Sequence, residues 1–148
     1  MLYWSGINVV GCPEMDAEHA RLLEQIDRLH DAMIRGRGSA TAIATLRDLA
    51  DQEAAHFARE ERLMQEAGYE GLEEHRGQHA EILRELAALQ RGVEAGHLAI
   101  AYDTMEAMRR WVREHINRWD RAAADHIMKQ RETGTRRDRY GASMVEPA

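Results

Sequence analysis

The chain has 148 residues, a formal net charge of −6, 44% hydrophobic and 31% charged residues, the balance of a soluble domain large enough to bury its own core. The acidic balance excludes the basic surface that nucleic acid requires, and no run approaches the ~18 apolar residues of a membrane span. Only two prolines occur, Pro13 and Pro147, and Ala, Leu, Glu, Arg and Met are abundant, so the composition predicts an all-α protein.

An irregular N-terminal arm over residues 1–15 comes first, with Asp16 the expected N-cap of the first helix. The arm carries the one cysteine, Cys12, which excludes an internal disulfide and fits a packed thiol in a reducing, cytoplasmic setting. The run Val9-Val10-Gly11-Cys12 resembles a lipoprotein processing site, but no Lys or Arg precedes it, and Ser5, Gly6 and Asn8 interrupt the apolar stretch. No signal peptide is expected.

From Asp16, His19, Leu22, Leu23, Ile26, Leu29 and Met33 recur at helical spacing until "RGRGS" breaks the pattern. A second helix starts near Ser39 or Thr41, and its inward track runs Leu46, Leu49, Glu53, His56, Glu60, Met64. The stretch "AGYEG" (67–71) ends it, with Gly68 as the residue after the cap. The third helix has the track Leu72, His75, His79, Ile82, Leu86, Leu89, Val93, and Gly92 and Gly96 bracket its end. The fourth is expected from about Leu98 to Lys129, with Ala101, Met105, Met108, Val112, His115, Trp119 and Ala122 on one stripe. Four amphipathic segments joined by short loops predict an up-down-up-down four-helix bundle over residues 1–131, with 132–148 as a C-terminal tail. The basic residues Lys129, Arg131, Arg136, Arg137 and Arg139 are interrupted by acids and read as a solvated helix end and tail.

The inward stripes contain an anomaly. His19, His56, Glu60, His75, His79 and His115 occupy positions that are otherwise apolar, with no basic partner on the same stripes. Polar groups at that density are expensive to bury unless something satisfies them. In an antiparallel bundle the start of the first helix lies level with the end of the second, the start of the third and the late part of the fourth. All of these residues, with Asp120, therefore fall at one end and at similar depth. "HFARE" (56–60) and "HRGQH" (75–79) each put two ligand types on one face, one turn apart. Seven donors exceed what one zinc takes. Five imidazoles and two carboxylates suit two transition metals, and without thiolate they admit iron, manganese, zinc or copper.

With these motifs in place the sequence resembles a bacterial hemerythrin. The matching pieces are "MDAEH" (15–19), "HFAREERLMQEAGY" (56–69), "HRGQH" (75–79) and "WVREHINRWD" (111–120), spanning roughly residues 3–128 in order and spacing. The resemblance implies two iron ions with an oxo or hydroxo bridge. One iron would be held by His75, His79 and His115, the other by His19 and His56, with Glu60 and Asp120 bridging. It also implies O₂ as the ligand, bound reversibly at the two-histidine iron for storage, transport or delivery, without catalytic turnover. The sequence names no protein recipient for that O₂. Sensing through a separate partner, oxidase, peroxidase or nitric-oxide chemistry, and a scaffold without O₂ chemistry are the other readings. Leu22, Leu23, Ile26, Phe57, Trp111, Val112 and Ile116 neighbour ligands along their helices and are candidates for an apolar O₂ pocket. Trp119 is a further candidate, although packing at a helix edge is the favoured reading of this large indole before Asp120.

His115 and Asp120 are five apart, which on an α-helix turns them about 140° from one another. A π-type widening or an inward rotation near 115–120 is therefore expected, a device often found at functional sites. Of the other histidines, His30 is read as a core or bundle-end residue, His97 as a helix start, and His126 as surface or adjacent to the site. Met64, Met105 and Met108 are read as core.

Overall fold

The computed structural model describes residues 9–35 and 39–143. Helices α1 (Pro13–Ile34), α2 (Ser39–Glu66), α3 (Leu72–Glu94) and α4 (Leu98–Glu114) are followed by a π turn (His115–Asp120) and α5 (Arg121–Ser143). The residues flanking the π turn keep helical dihedrals, Glu114 at φ −64°, ψ −42° and Arg121 at φ −61°, ψ −45°. So α4, the π turn and α5 form one continuous rod. Each helix packs on its sequence neighbour and α4 closes back onto α1, which makes a four-helix bundle. Antiparallel order is visible in the pairs that cross it: early Arg47 with late Glu94, and Glu14 at the start of α1 with Arg131 of α5. No strand occurs among the described residues, and none of their helices is long and apolar enough to cross a membrane.

Helix ends follow local chemistry. The Tyr69 and Gly68 amides donate back to the Met64 and Gln65 carbonyls, at 2.9 and 3.1 Å, and Gly68 takes φ +65°. The His97 and Gly96 amides do the same to Gly92 and Val93, with Gly96 at φ +79°. Both α2 and α3 thus end in Schellman motifs, whose left-handed residue is cheap only as glycine. At Gly71 the constraint is space: a Cβ there would lie 2.8 Å from the Tyr69 ring.

Three expectations are corrected. The first helix begins at Pro13 with Cys12 as N-cap, not at Asp16. Proline at the first helical position has its φ preset and its missing N–H was unpaired there in any case. Asp16 instead accepts from the Val10 and Gly11 amides, at 2.7 and 3.3 Å, which ties residues 9–12 onto the helix. Second, the last helix passes Lys129 and runs to Ser143, with residues 131–134 exposed. Between Lys129 and Ser143 the sequence has no proline, and its two glycines, Gly134 and Gly141, are tolerated within the helix. Third, Ala122 is exposed, whereas Asp120, Ala123, Ala124 and Ile127 are buried. The π turn inserts extra arc and moves the inward face onto that neighbouring stripe. Arm residues 1–8, the 36–38 part of the "RGRGS" break and residues 144–148 lie outside the described residues, as do the side chains of Ala101, Arg136, Arg137 and Arg139.

The core divides lengthwise. Leu29, Leu46, Leu49, Leu86, Leu89, Val93 and Met105 fill one half with exposures of 2% or less. Met64 and Met108 are buried too, as expected. In the other half the same stripes present His19, His56, Glu60, His75, His79, His115 and Asp120, all 4% exposed or less.

Candidate metal centre

Four rods deliver these seven side chains to one point. His19 comes from the second turn of α1, His56 and Glu60 from late α2, His75 and His79 from the first turns of α3. His115 and Asp120 bound the π turn. The i→i+5 pattern of a π turn brings residues five apart near one face, and His115 Nε2 sits 3.0 Å from Asp120 Oδ1. The expected widening is therefore present, and it is what lets both residues point inward.

All five Nε2 atoms converge on the two carboxylates. Glu60 Oε1 faces His19 at 3.0 Å and His56 at 2.7 Å, while its Oε2 faces His79 at 3.1 Å and His75 at 3.9 Å. Asp120 Oδ1 faces His75 at 2.8 Å and His115 at 3.0 Å, while its Oδ2 faces His19 at 2.9 Å. Each carboxylate thus gives one oxygen to the pair His19 and His56, or to His19 alone, and the other to the trio His75, His79 and His115. Several of these contacts are close yet misaligned: Glu60 Oε2, His79 Nε2 and His115 Nε2 are buried with no hydrogen-bond partner among the described residues. Atoms aimed at a shared centre rather than at one another are what a metal cradle leaves behind. The donors fall into two groups whose atoms lie within 4.8 Å of one another, Glu60 with His75, His79, His115 and Asp120, and His19 with His56 and Glu60.

The electrostatics are those of a cluster satisfied by protons. Burial lowers the His19 imidazole, but contacts with Asp120 and Glu60 outweigh it and raise it to about 10. Burial likewise opposes His56, which Glu60 brings up to about 9. His115 is raised by Asp120 against the same opposition. Burial holds His79 below its ordinary value despite Glu60. Glu60 is pushed up by burial and by Asp120, yet His56 and His19 hold it below the usual carboxylate range. Asp120 resists its burial because His115, His19 and His75 surround it. Imidazoles must lose those protons to bind a metal, so loading the site exchanges protons for cations.

A second layer orients the ligands. His56 Nδ1 donates to the Glu18 carboxylate, which also accepts from Arg59. His79 Nδ1 lies 3.4 Å from Glu61 Oε1. Such carboxylate–histidine contacts fix ring orientation and raise ligand basicity. The sequence reading missed both acids, since each is brought to its histidine by a different helix turn and carries no motif of its own.

The pocket candidates separate. Phe57 is 4% exposed and stacks on His79 with ring centroids 3.8 Å apart and planes at 9°. Leu22, Leu23, Ile26, Val112 and Ile116 are buried in the core. Trp111 is half-buried and lines an outer cleft with Glu81 and Glu85. Trp119 is also half-buried, edge-on to His75 at 6.2 Å, with the Arg118 guanidinium 5.8 Å from its ring centre. It stands at the rim on the three-histidine side.

Over residues 11–127 the sequence matches the family profile described as the hemerythrin HHE cation binding domain. The chain belongs to the hemerythrin family. It is 29% identical to a bacteriohemerythrin of Pseudomonas aeruginosa over 126 residues, 85% of this chain and 81% of that one. A bacteriohemerythrin of Methylococcus capsulatus is 30% identical over 106 residues, 72% of this chain and 80% of its own. A myohemerythrin of Riftia pachyptila is 28% identical over 113 residues, 76% of this chain and 82% of its own. No solved structure matches significantly.

The remaining histidines of this hemerythrin stand outside the cluster. His30 Nε2 lies 2.7 Å from Glu106 at the far end of the bundle, His97 is the N-cap residue of α4, and His126 Nε2 donates to the Ala67 carbonyl at 2.9 Å. Cys12 is a buried free thiol.

Proposed function

We propose that this hemerythrin binds O₂ reversibly at a non-haem di-iron centre, serving storage, transport or delivery rather than turnover. His75, His79 and His115 would hold one iron, and His19 and His56 the other. Glu60 and Asp120 would span both, and the two-histidine side would keep the open position. The observation that carries this reading is the division of the Glu60 and Asp120 oxygens between the two sets of imidazoles. When bound, a ferrous pair supplies the two electrons that O₂ takes up and returns.

The donor set supports carriage. Two ferrous ions bring four positive charges, and two carboxylates offset only two of them. Di-iron oxidases of the bundle class use four glutamates with two histidines, and extra anionic ligands stabilise higher oxidation states. A site with five neutral imidazoles favours the ferrous pair and therefore release of O₂. Phe57 against His79, and buried Leu23, Ile26, Val112 and Ile116, keep water from much of the surroundings.

The test is anaerobic reconstitution with ferrous iron, metal analysis, then repeated cycles of O₂ addition and removal under visible spectroscopy. Two irons per chain and a charge-transfer band that appears and vanishes with each cycle are expected. Irreversible conversion to a ferric spectrum in the first cycle would overturn carriage, and zinc or sub-stoichiometric iron would overturn the di-iron assignment.

A further inference from the structure

One buried acid is left over by the metal centre. Glu53 lies on α2 one turn before His56 and two turns before Glu60, so the three share a face. It is 2% exposed, and its Oε1 has no hydrogen-bond partner among the described residues. Its oxygens do not belong to either converging donor group. Instead Glu53 lines, together with His56, a cavity of about 530 Å³ between α1 and α2. The arginines around that cavity do not neutralise it: Arg28 pairs with Glu24 and Arg59 with Glu18, while Arg21 is exposed. Its nearest charged neighbours of opposite sign, His56 and His19, are already committed to Glu60, Glu18 and Asp120.

Buried without its own cation, a carboxyl resides as the neutral acid. Burial raises the Glu53 carboxyl above its ordinary value. It contrasts with Glu60 and Asp120, which the imidazoles keep ionised. A neutral O–H beside the two-histidine side, with a cavity roomy enough for water behind it, is a donor that can be reloaded.

We infer that Glu53 carries protons between the α1/α2 cavity and the two-histidine side of the centre, and so sets how long the O₂-loaded protein survives. This rests on the oxygen-binding reading. Carriage consumes no net proton, whereas loss of O₂ as peroxide does: O₂ takes one electron from each of two ferrous ions and two protons, leaving as H₂O₂ with two ferric ions behind. Glu53 supplies one of those protons from its carboxyl O–H and recovers it from cavity water. The second comes from the same cavity through the same carboxyl. The cavity side of α1 and α2 is thereby the wall through which the centre oxidises.

The experiment uses the iron-loaded full chain, with Glu53→Gln and Glu53→Leu, both checked for iron content and helicity. The first readout is the infrared carbonyl band of a protonated carboxyl. Wild type should show one that shifts promptly in D₂O and is missing from Glu53→Gln. The second is autoxidation with peroxide release, which should slow about tenfold or more in both variants and lose its solvent isotope effect. A band that persists in Glu53→Gln, or variants that oxidise at the wild-type rate, overturns the inference. If the wild type never cycles with O₂, the oxygen-binding reading fails, and the infrared band still decides whether Glu53 holds the exchangeable proton.

Discussion

The two ends of this bundle are built from the same four stripes and solve opposite problems. On α2 the stripe reads Leu46 and Leu49 at one end, His56 and Glu60 at the other; on α3 it reads His75 and His79, then Leu86, Leu89 and Val93. The apolar end is stabilised by burial, at about 25 cal/mol per Å² removed from water, with no dependence on pH. The polar end holds seven groups that are tolerable only while they satisfy one another, by protons in the metal-free protein and by cations in the loaded one. The difference teaches a division of labour: the Leu-rich half fixes the helices so that the His-rich half need not be a source of stability.

The largest expected contrast is in alkali. His19 and His56 are raised to about 10 and about 9 in the metal-free fold, above the ~6.5 of an unfolded imidazole. Their contribution is fully present below ~6.5 and is lost as pH rises through about 9 and 10. At about 1.4 kcal/mol per pKa unit, the metal-free protein should lose on the order of a few kcal/mol across that window. Metal-bound imidazoles are already deprotonated, so the loaded protein should not show this loss. Urea titrations of both forms between neutral pH and pH ~10 measure it, and parallel curves would break the comparison.

Next in size is Leu49→Ala, at a fully buried position of the apolar end. A cavity there should cost about 2–5 kcal/mol. The loss should be equal with and without metal, and metal content should be unchanged. A drop in metal affinity would show that the two ends are not independent.

Much of this division is legible in the sequence, because helical spacing assigns both the leucines and the ligands to inward faces. Even the π turn is foreshadowed, since His115 and Asp120 cannot share a face on an ordinary helix. What escapes is whatever depends on contacts between helices or on competing local chemistry. Pro13 sets the start of α1 although Asp16 is the better capping residue by type. Ala122 turns outward because the π turn upstream advances the register. Glu18 meets His56 across 38 positions of chain, a pairing no local motif announces. Glu53 stands in plain view on the α2 stripe, but only its missing partner and the adjoining cavity distinguish it from a solvated acid.

Glu18→Gln probes the polar end from outside the ligand set. Glu18 accepts from His56 Nδ1 and fixes that ring. Its neutral replacement should weaken metal binding about 10–100-fold, with little change in the apolar core. Competition against a chelator reads the affinity, and wild-type affinity in the variant would reduce Glu18 to a surface partner of Arg59.

The smallest effect sharpens where the polar end's demands stop. Gly77 lies between His75 and His79 in sequence, yet it is exposed, and a Cβ there would meet nothing within 4 Å. Its φ is not in the left-handed region, unlike that of Gly68 or Gly96. Nothing about the ligands requires glycine at this position, so Gly77→Ala should stabilise the protein by about 0.5–1 kcal/mol through helix propensity alone. The gain should be the same in the metal-free and loaded forms, with metal content unaltered. A gain confined to one form, or any loss of metal, would mean that the outer face of α3 takes part in positioning His75 and His79. Equal gains would confine the chemistry of this end to its inward stripe, two residues away on either side.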